Sequence, residues 1–533
     1  MNNNPKVLLV YPGSKLRGFA FPIGLLYVAQ ALLKKNIDVS FIHLGIDSPN
    51  KIKPENYLFV GISMLTGRMI LDGLQAAKLI KNYNKKIPIV LGGVHPSLLP
   101  KECLQNELVD IVVIGEGDET VQELALSLLN KQDLSKVKGI AYKDTEKNII
   151  VNPPRDFIDM NKLDFDLPYH LLGKNILQSY ELPIHTSRGC PYRCSFCYST
   201  AFHKRKYRAK SAEKVVDEIE YLYKKYNITS FDIGYEDEFF TNPDRNYEIL
   251  KTILKKGLKI RWSSFCRFNT FDNAITKLGT DFVDVIKKSG CDYLAFGAES
   301  GSQRLLDEII KKDITVEQII RTVNYLKNYK IPHRINFMCC FPTETQNDLN
   351  ATFDIINKIS YNNSSVLFGI HILVPFPGTP IFNLLKKDYA YKTPSTLEKW
   401  GEYNAPFTSY KKVTWLPNKY AKMCFNLNLL FGHIFFKDFK SYKMYKEFIR
   451  NSNSSTVYPT GYIGYLIAKI QRWRYKNRVF DNVVETILFS KFIKIQFGTK
   501  RFIVNCILRK YLSPKIYQIL RNWFRNKELV YEQ

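Results

Sequence analysis

The 533 residues are 45% hydrophobic and 14% aromatic, which excludes a disordered chain and leaves room for roughly two to four packed domains. A net charge of +27 points to an anionic partner such as nucleic acid or a membrane surface; residues 401–533 hold 24 Lys+Arg against 7 Asp+Glu, and a generally basic composition accounts for that excess equally well. Ten cysteines in 533 residues is ordinary density and argues against a disulfide framework, no uncharged apolar run is long enough to span a bilayer, and Met1 to Pro5 leads straight into a strand-like segment, so a soluble cytoplasmic protein without a targeting peptide is expected.

Residues 1–150 alternate strand and helix patterns. Val7 to Tyr11, Val39 to Leu44, Leu58 to Ser63, Ile87 to Leu91 and Ile111 to Ile114 read as strands, and Gly24 to Lys34 and Leu71 to Tyr83 as helices. That order predicts an α/β domain, a Rossmann-like (flavodoxin-like) parallel sheet covered on both faces. Ligands of such sheets bind beyond the carboxyl ends of the strands. Those ends carry Gly61-Ile-Ser63, Gly92-Gly93-Val-His95-Pro and Gly115-Glu116-Gly117.

Residues 151–182 read as a linker, and residues 183–400 repeat strand, loop and helix. Strands are expected at Pro183 to Thr186, Ser230 to Gly234, Arg261 to Phe265, Tyr293 to Gly297, Arg334 to Cys339 and Val366 to Leu373, with Ser211 to Tyr226 the first helix after the opening loop. In barrels of parallel strands the C-terminal ends carry the active site. Directly after the first strand stands Cys190-Pro-Tyr-Arg-Cys194-Ser-Phe-Cys197. Three thiolates so close together make a soft-metal site, an iron–sulfur cluster, zinc or copper(I). Structural zinc wants a fourth ligand, usually in a second cysteine pair, and the other cysteines form none.

The Cys-x3-Cys-x2-Cys spacing with Phe196 before the last cysteine resembles the radical S-adenosylmethionine superfamily. Glu236-Asp237-Glu238 after the second strand, Gly297-Ala-Glu299-Ser300 after the fourth, Phe341-Pro342-Thr-Glu344 after the fifth and Pro375-Phe-Pro377-Gly378 after the sixth resemble its other segments, in the same order. The resemblance implies an open (β/α)6 partial TIM barrel and a [4Fe-4S] cluster on Cys190, Cys194 and Cys197. The fourth iron would be left for S-adenosyl-L-methionine. It also implies that Glu299, with Ser300, accepts from the ribose hydroxyls and that the backbone near Glu236 and Asp237 meets the amino group. Phe196 and Pro377 complete the cofactor contacts. Arg267 past the third strand can pair with the carboxylate or be an ordinary surface arginine. Cys340 departs from the pattern, standing where the family usually has glycine.

The N-terminal loops, with Pro22-Ile-Gly24-Leu-Leu-Tyr, look like the cobalamin-binding domain that precedes many such barrels, and Ser63, Thr66, Gly92, Gly93, His95, Gly115, Glu116 and Gly117 are then its contacts. The Asp-x-His-x2-Gly motif is lacking, so His95 is not expected to be an axial ligand of cobalt. A flavodoxin-like domain without the cofactor is the alternative. Residues 401–533 mix apolar residues and lysines in Met423 to Phe436 and Lys491 to Tyr511, which suggests a mostly helical, basic domain serving as a cap or a peripheral membrane contact.

Taken together, the resemblance implies a cobalamin-dependent radical enzyme that methylates carbon on a small-molecule or lipid-like substrate, supplied with electrons by a flavodoxin or ferredoxin. Radical cyclisation or rearrangement without methyl transfer is the alternative. An RNA-modifying relative would need three further cysteines in the N-terminal domain, where only Cys103 stands, so no nucleic-acid partner is expected.

Overall fold

A computed structural model of the chain describes residues 4–13, 21–53, 55–172, 177, 181–234, 238–363, 365–403, 410–430, 473 and 477. The chain divides into two compact units, residues 1–13 with 20–418 and residues 14–19 with 419–533, and each is described by itself.

The first unit opens with a seven-stranded sheet. Its strands are β1 (Lys6–Tyr11), β2 (Asp38–His43), β3 (Phe59–Ser63), β4 (Ile89–Gly92), β5 (Ile111–Val113), β6 (Ile140–Lys143) and β7 (Ile149–Val151), in spatial order β2-β1-β3-β4-β5-β6-β7. Val7 to Val10 are buried without alternation, as a central strand covered on both faces requires. Helices α1 (Ile23–Leu33) and α5 (Gly117–Leu129) pack Ala29, Leu32, Val121 and Leu124 onto the face bearing Val7, Leu9, Phe59, Val90 and Val113. Helix α2 (Met69–Tyr83) takes the other face, where Gly73 brings its backbone against Met64 and Ile62, and the short α3 (Val94–Leu98) and α4 (Pro100–Leu104) follow β4.

The sheet is parallel through β5, as expected, and then antiparallel: β6 pairs with β5, and β7 with β6. This hairpin was not expected and carries the sheet across residue 150. Its turn is built by Asp144, whose backbone N–H donates to the Asn148 carbonyl while its carboxylate accepts from the N–H groups of Glu146 and Asn148.

Six parallel strands form the second sheet: β8 (Leu182–Pro183), β11 (Ser230–Asp232), β12 (Arg261–Cys266), β13 (Cys291–Glu299), β14 (His333–Cys339) and β15 (Val366–Ile372). Their order is β15-β14-β13-β12-β11-β8, with β8 and β15 at opposite edges, so this is an open barrel of the expected kind. Between β8 and β11 lie β9 (Ser187–Arg188) and β10 (Arg208–Ala209), a short antiparallel pair flanking the cysteine loop, then α6 (Tyr198–Phe202) and α7 (Ala212–Tyr226). Ser211 caps α7 by accepting from the Lys214 N–H, and Val215, Ile219 and Leu222 are buried at helical spacing. Thr315 with Gln318 and Thr345 with Asp348 form capping boxes on the helices Val316–Asn328 and Gln346–Ser360.

The sheet domain and the barrel are joined inside this unit by a buried cluster. Lys210 after β10 pairs with Glu218 of α7 at 2.5 Å, and its ammonium also meets the Tyr27 hydroxyl of α1 at 3.3 Å. Of the expected C-terminal helices, the structure describes Asn418–Leu430; Lys491 to Tyr511 lies outside the described residues. Among the described residues no helix is long and apolar enough to cross a membrane.

Candidate functional site

A cavity of about 320 Å³ opens at the carboxyl ends of β1, β3, β4 and β5. Its floor is apolar, formed by Leu9, Phe59, Ile62, Val90 and Val113, and its rim is largely backbone, with Gly24, Ser63, Gly92, Gly93, Gly115, Glu116 and Gly117. The space in front of Gly24 and Gly115 is open: a Cβ added at either would meet nothing within 4 Å. Gly93 is the cramped exception. Its φ is +96°, and a Cβ there would lie 2.9 Å from the Met64 carbonyl oxygen.

Six of the eight expected cobalamin contacts line this cavity. Thr66 and His95 are not among the lining residues. The His95 ring is buried, its Nδ1 meets the Thr66 hydroxyl at 3.0 Å, and its edge lies against Trp400, so the two residues brace the loops behind the cavity. Burial pulls the His95 pKa down to about 4, which keeps the ring neutral. An apolar slot with a backbone rim suits a large planar ligand with an inserted tail, and in that respect the residues fit the expected cofactor.

The sequence did not reveal what closes the cavity. His185, Arg188, Tyr198, Phe202 and His203, which flank the cysteine loop of the barrel, form its far wall. They are held there by ion pairs to the sheet domain. Arg188 grips Asp118 through two nitrogens at 2.9 and 3.3 Å, and Arg208 grips Glu116 at 2.8 and 2.9 Å while stacking on Phe157. Burial opposes the charge on Glu116, but Arg208 and Arg188 outweigh it and hold the carboxyl below its usual range. The rim residue Glu116 is therefore both a wall of the cavity and an anchor for the strand beside the cysteine loop.

The cysteine loop is tightly placed. Gly189 has φ +83°, and a Cβ on it would come within 2.1 Å of the Lys206 carbonyl oxygen, so only glycine fits before Cys190. Ser195 donates its N–H to the Ile310 carbonyl at 2.8 Å and its hydroxyl to that of Ile309 at 2.6 Å, and its carbonyl accepts from the Ile381 N–H. The three sulfurs do not all lie within 4.8 Å of one another. Burial pushes the Cys190 thiol up to about 12 and the Cys197 thiol to about 11, so both need bound cations to become thiolates.

Arg267 is not a surface arginine. It is buried, stacks on Tyr192 at 3.7 Å, donates from Nη1 to Cys194 Sγ at 3.0 Å and from Nε to Asn269 at 3.2 Å, and also donates to the Lys312 carbonyl. Apart from Asn269 just beyond it in the chain, it thus meets the cysteine loop and the segment after β13. Glu299, at the end of β13 with φ +61°, pairs with Lys312 Nζ at 2.7 Å, and Ser300 accepts from the Ser302 N–H. Phe196 lies edge-on to Phe341, and Pro377 precedes Gly378, whose α-carbon faces Ala201 of α6 and Leu98 of α3. Cys340 has φ +68°, in the left-handed region that favours glycine. Glu236 and Asp237 lie outside the described residues.

The comparisons agree with this geometry. The Radical SAM superfamily model matches residues 184–356, and the B12 binding domain model matches residues 12–125. An uncharacterized methyltransferase of Pyrococcus horikoshii is 32% identical over 376 residues, covering 68% of this chain and 77% of its own. Cytidylyl-2-hydroxyethylphosphonate methyltransferase of Streptomyces wedmorensis is 24% identical over 428 residues, 68% of this chain and 78% of its own. Among solved structures, the cobalamin-dependent S-adenosylmethionine radical enzyme OxsB with aqua-cobalamin bound superposes with a TM-score of 0.66 at 18% identity, covering 99% of this chain and 80% of that one, a likeness of fold. With both domain models matched in order and a relative above 30% identity covered over three quarters of its length, the chain belongs to the radical S-adenosylmethionine enzymes that carry a B12-binding domain.

Proposed function

We propose that this protein is a cobalamin-dependent radical S-adenosylmethionine methyltransferase that methylates carbon on a small-molecule substrate. The observation that carries the reading is the shared wall: the N-terminal cavity is closed by His185, Arg188, Tyr198, Phe202 and His203, the residues that bracket Cys190, Cys194 and Cys197. A ligand in that cavity and one held at the cysteine loop would face a common space. When bound, the cluster, S-adenosylmethionine and cobalamin supply a radical able to activate a carbon–hydrogen bond and a methyl group to place there, chemistry no side chain performs.

The residues of the chain do the rest. Cys190, Cys194 and Cys197 hold the cluster, leaving one iron for the cofactor, and Gly189 and Ser195 fix the loop that presents them. Glu299, on its left-handed turn, is offered for the ribose. Glu116 and Asp118 lock the cavity rim to Arg208 and Arg188, which limits the entry of water between the two cofactors. A low-potential donor such as flavodoxin or ferredoxin in a reducing compartment is the partner this chemistry requires. The relatives whose names record methyltransferases favour methyl transfer as the outcome.

The test is anaerobic reconstitution with iron, sulfide and hydroxocobalamin, followed by metal analysis and a dithionite-driven assay for 5′-deoxyadenosine. Four irons, about one cobalt and release of 5′-deoxyadenosine are expected. Replacing all three loop cysteines by alanine should remove the absorbance near ~400 nm expected of such a cluster. Iron and sulfide retained in that variant would overturn the cluster assignment, and four irons without cobalt would remove cobalamin from the reaction.

A further inference from the structure

The inward face of the barrel carries a second set of polar residues that the cofactors do not account for. Strand register places Phe265, Ala295, Arg334 and Leu367 in one row across β12 to β15, Gly297, Asn336 and Gly369 in the next, and Met338 with His371 in the third. The alternate residues Leu294, Phe296, Ile335, Phe337, Phe368 and Ile370 are buried on the opposite face, under the outer helices. Arg334, Asn336, Met338, Leu367 and His371 are only half-buried and Phe265 is 53% exposed, so this lumen face is accessible.

Gly369 is the centre of the arrangement. A Cβ placed on it would lie 2.8 Å from Arg334 Nη2, 3.0 Å from Asn336 Oδ1 and 3.1 Å from His371 Nε2. Three polar groups thus converge on a position kept clear by the absence of a side chain. Arg334 bonds the Tyr293 side chain, and among the described residues no carboxylate pairs with it, whereas Arg188, Arg208, Arg304 and Arg321 all have carboxylate partners. His371 Nε2 meets Asn336 Oδ1 at 3.3 Å, and burial with the nearby Arg334 charge lowers the His371 pKa. Once these internal bonds are counted, donors are left over: the remaining guanidinium N–H groups and the Asn336 amide. A guanidinium with spare donors and no carboxylate partner among the described residues selects an oxyanion.

We propose that Arg334 is the anion-reading group of a subsite in the barrel lumen, with the bonded Asn336–His371 pair forming its wall, and that the substrate is an organic acid. Its carboxylate or phosphate would meet Arg334 while its apolar body packs against Phe265, Leu367 and Met338. This deepens the functional reading above and rests on it. Glu299 and Lys312, nearer the cysteine loop, neutralise each other, whereas Arg334 has no carboxylate partner among the described residues.

The test uses full-length protein loaded with cluster and cobalamin, with 1-naphthoate and 1-naphthamide as probes in calorimetric titrations at saturating S-adenosylmethionine. Naphthoate should bind at one site, naphthamide at least tenfold more weakly. Arg334→Gln should weaken naphthoate at least tenfold, Arg334→Lys less, and Gly369→Val, which fills the cleft, should abolish binding. S-adenosylmethionine affinity should stay within twofold throughout. Equal binding of acid and amide, no binding of naphthoate by the wild type, or an affinity untouched by Arg334→Gln would overturn the subsite. Displacement of naphthoate by S-adenosylmethionine, with a tenfold loss of cofactor affinity in Arg334→Gln, would assign these donors to the cofactor's carboxylate instead. A preparation that takes up no cobalamin or yields no 5′-deoxyadenosine fails the functional reading; one that does both and ignores naphthoate fails only the subsite.

Discussion

Replacing Lys210 by methionine tests how the sheet domain is held against the barrel. Lys210 and Glu218 have side-chain exposures of 0% and 1%, and Glu218 Oε1 has no hydrogen-bond partner among the described residues, so the ammonium is what compensates the buried carboxylate. Methionine keeps most of the volume and removes the charge. Breaking a buried pair by deleting one partner costs about 3–5 kcal/mol, because the remaining charge is left without water or counter-ion. Burial already raises the Glu218 pKa with Lys210 present, and without Lys210 it rises further. A carboxyl whose folded pKa exceeds its unfolded value binds more protons when folded, so its contribution to stability grows as pH falls and is lost as pH rises through the folded pKa. Urea unfolding of Lys210→Met, followed by circular dichroism, should therefore show a loss of about 3–5 kcal/mol at pH 8 and a clearly smaller one at pH 5.5. Adding Glu218→Leu should recover most of the loss at pH 8. A loss under about 1 kcal/mol, the same at both pH values, would refute the claim that an uncompensated Glu218 is the cause.

Arg267→Gln removes a buried cation and a hydrogen bond to Cys194 Sγ. Bonds to charged groups are worth about 1.5–3 kcal/mol; if roughly 1 kcal/mol of that favours the more negative reduced cluster, its midpoint potential falls by about 40 mV. Redox titration followed by electron paramagnetic resonance reads this shift, and an unchanged potential with weakened S-adenosylmethionine binding would make Arg267 a cofactor clamp instead. Gly93→Trp should weaken hydroxocobalamin binding at least tenfold while leaving the iron content unchanged, because φ +96° and the Met64 carbonyl leave no room for a side chain; unchanged affinity would show the pocket to be misplaced. Arg208→Ala leaves Glu116 with Arg188 at 3.5 Å and the Ile158 N–H at 3.0 Å, and should raise the Glu116 pKa toward its ordinary value, measurable by carbon-13 NMR of the labelled carboxyl; an unmoved pKa would show that Arg208 is not what lowers it.

Local pattern carried much of this protein. Continuous apolar runs marked the buried parallel strands, helical spacing marked α1, α2 and α7, and three cysteines in eight residues marked the metal loop, because each of these signals lies within a few consecutive residues. The β6–β7 hairpin was passed over because its strands are short and half-exposed, so alternation is weak there. Long-range contacts were beyond reach. His95 looked like a cavity residue from its place beside Gly93, but Thr66 and Trp400, far away in sequence, turn it behind the loop. Arg267 could be read as a cofactor ligand or a surface residue, and burial against Tyr192 and Cys194 decides the matter against the surface. The order of motifs and their family resemblance thus determined the cofactor class, and the apolar runs the parallel strands of the two sheets. Only the tertiary structure decided that the far wall of the N-terminal cavity comes from the barrel, and that Arg334, Asn336 and His371 converge on Gly369, because those contacts depend on strand register and domain packing rather than on any local run of residues.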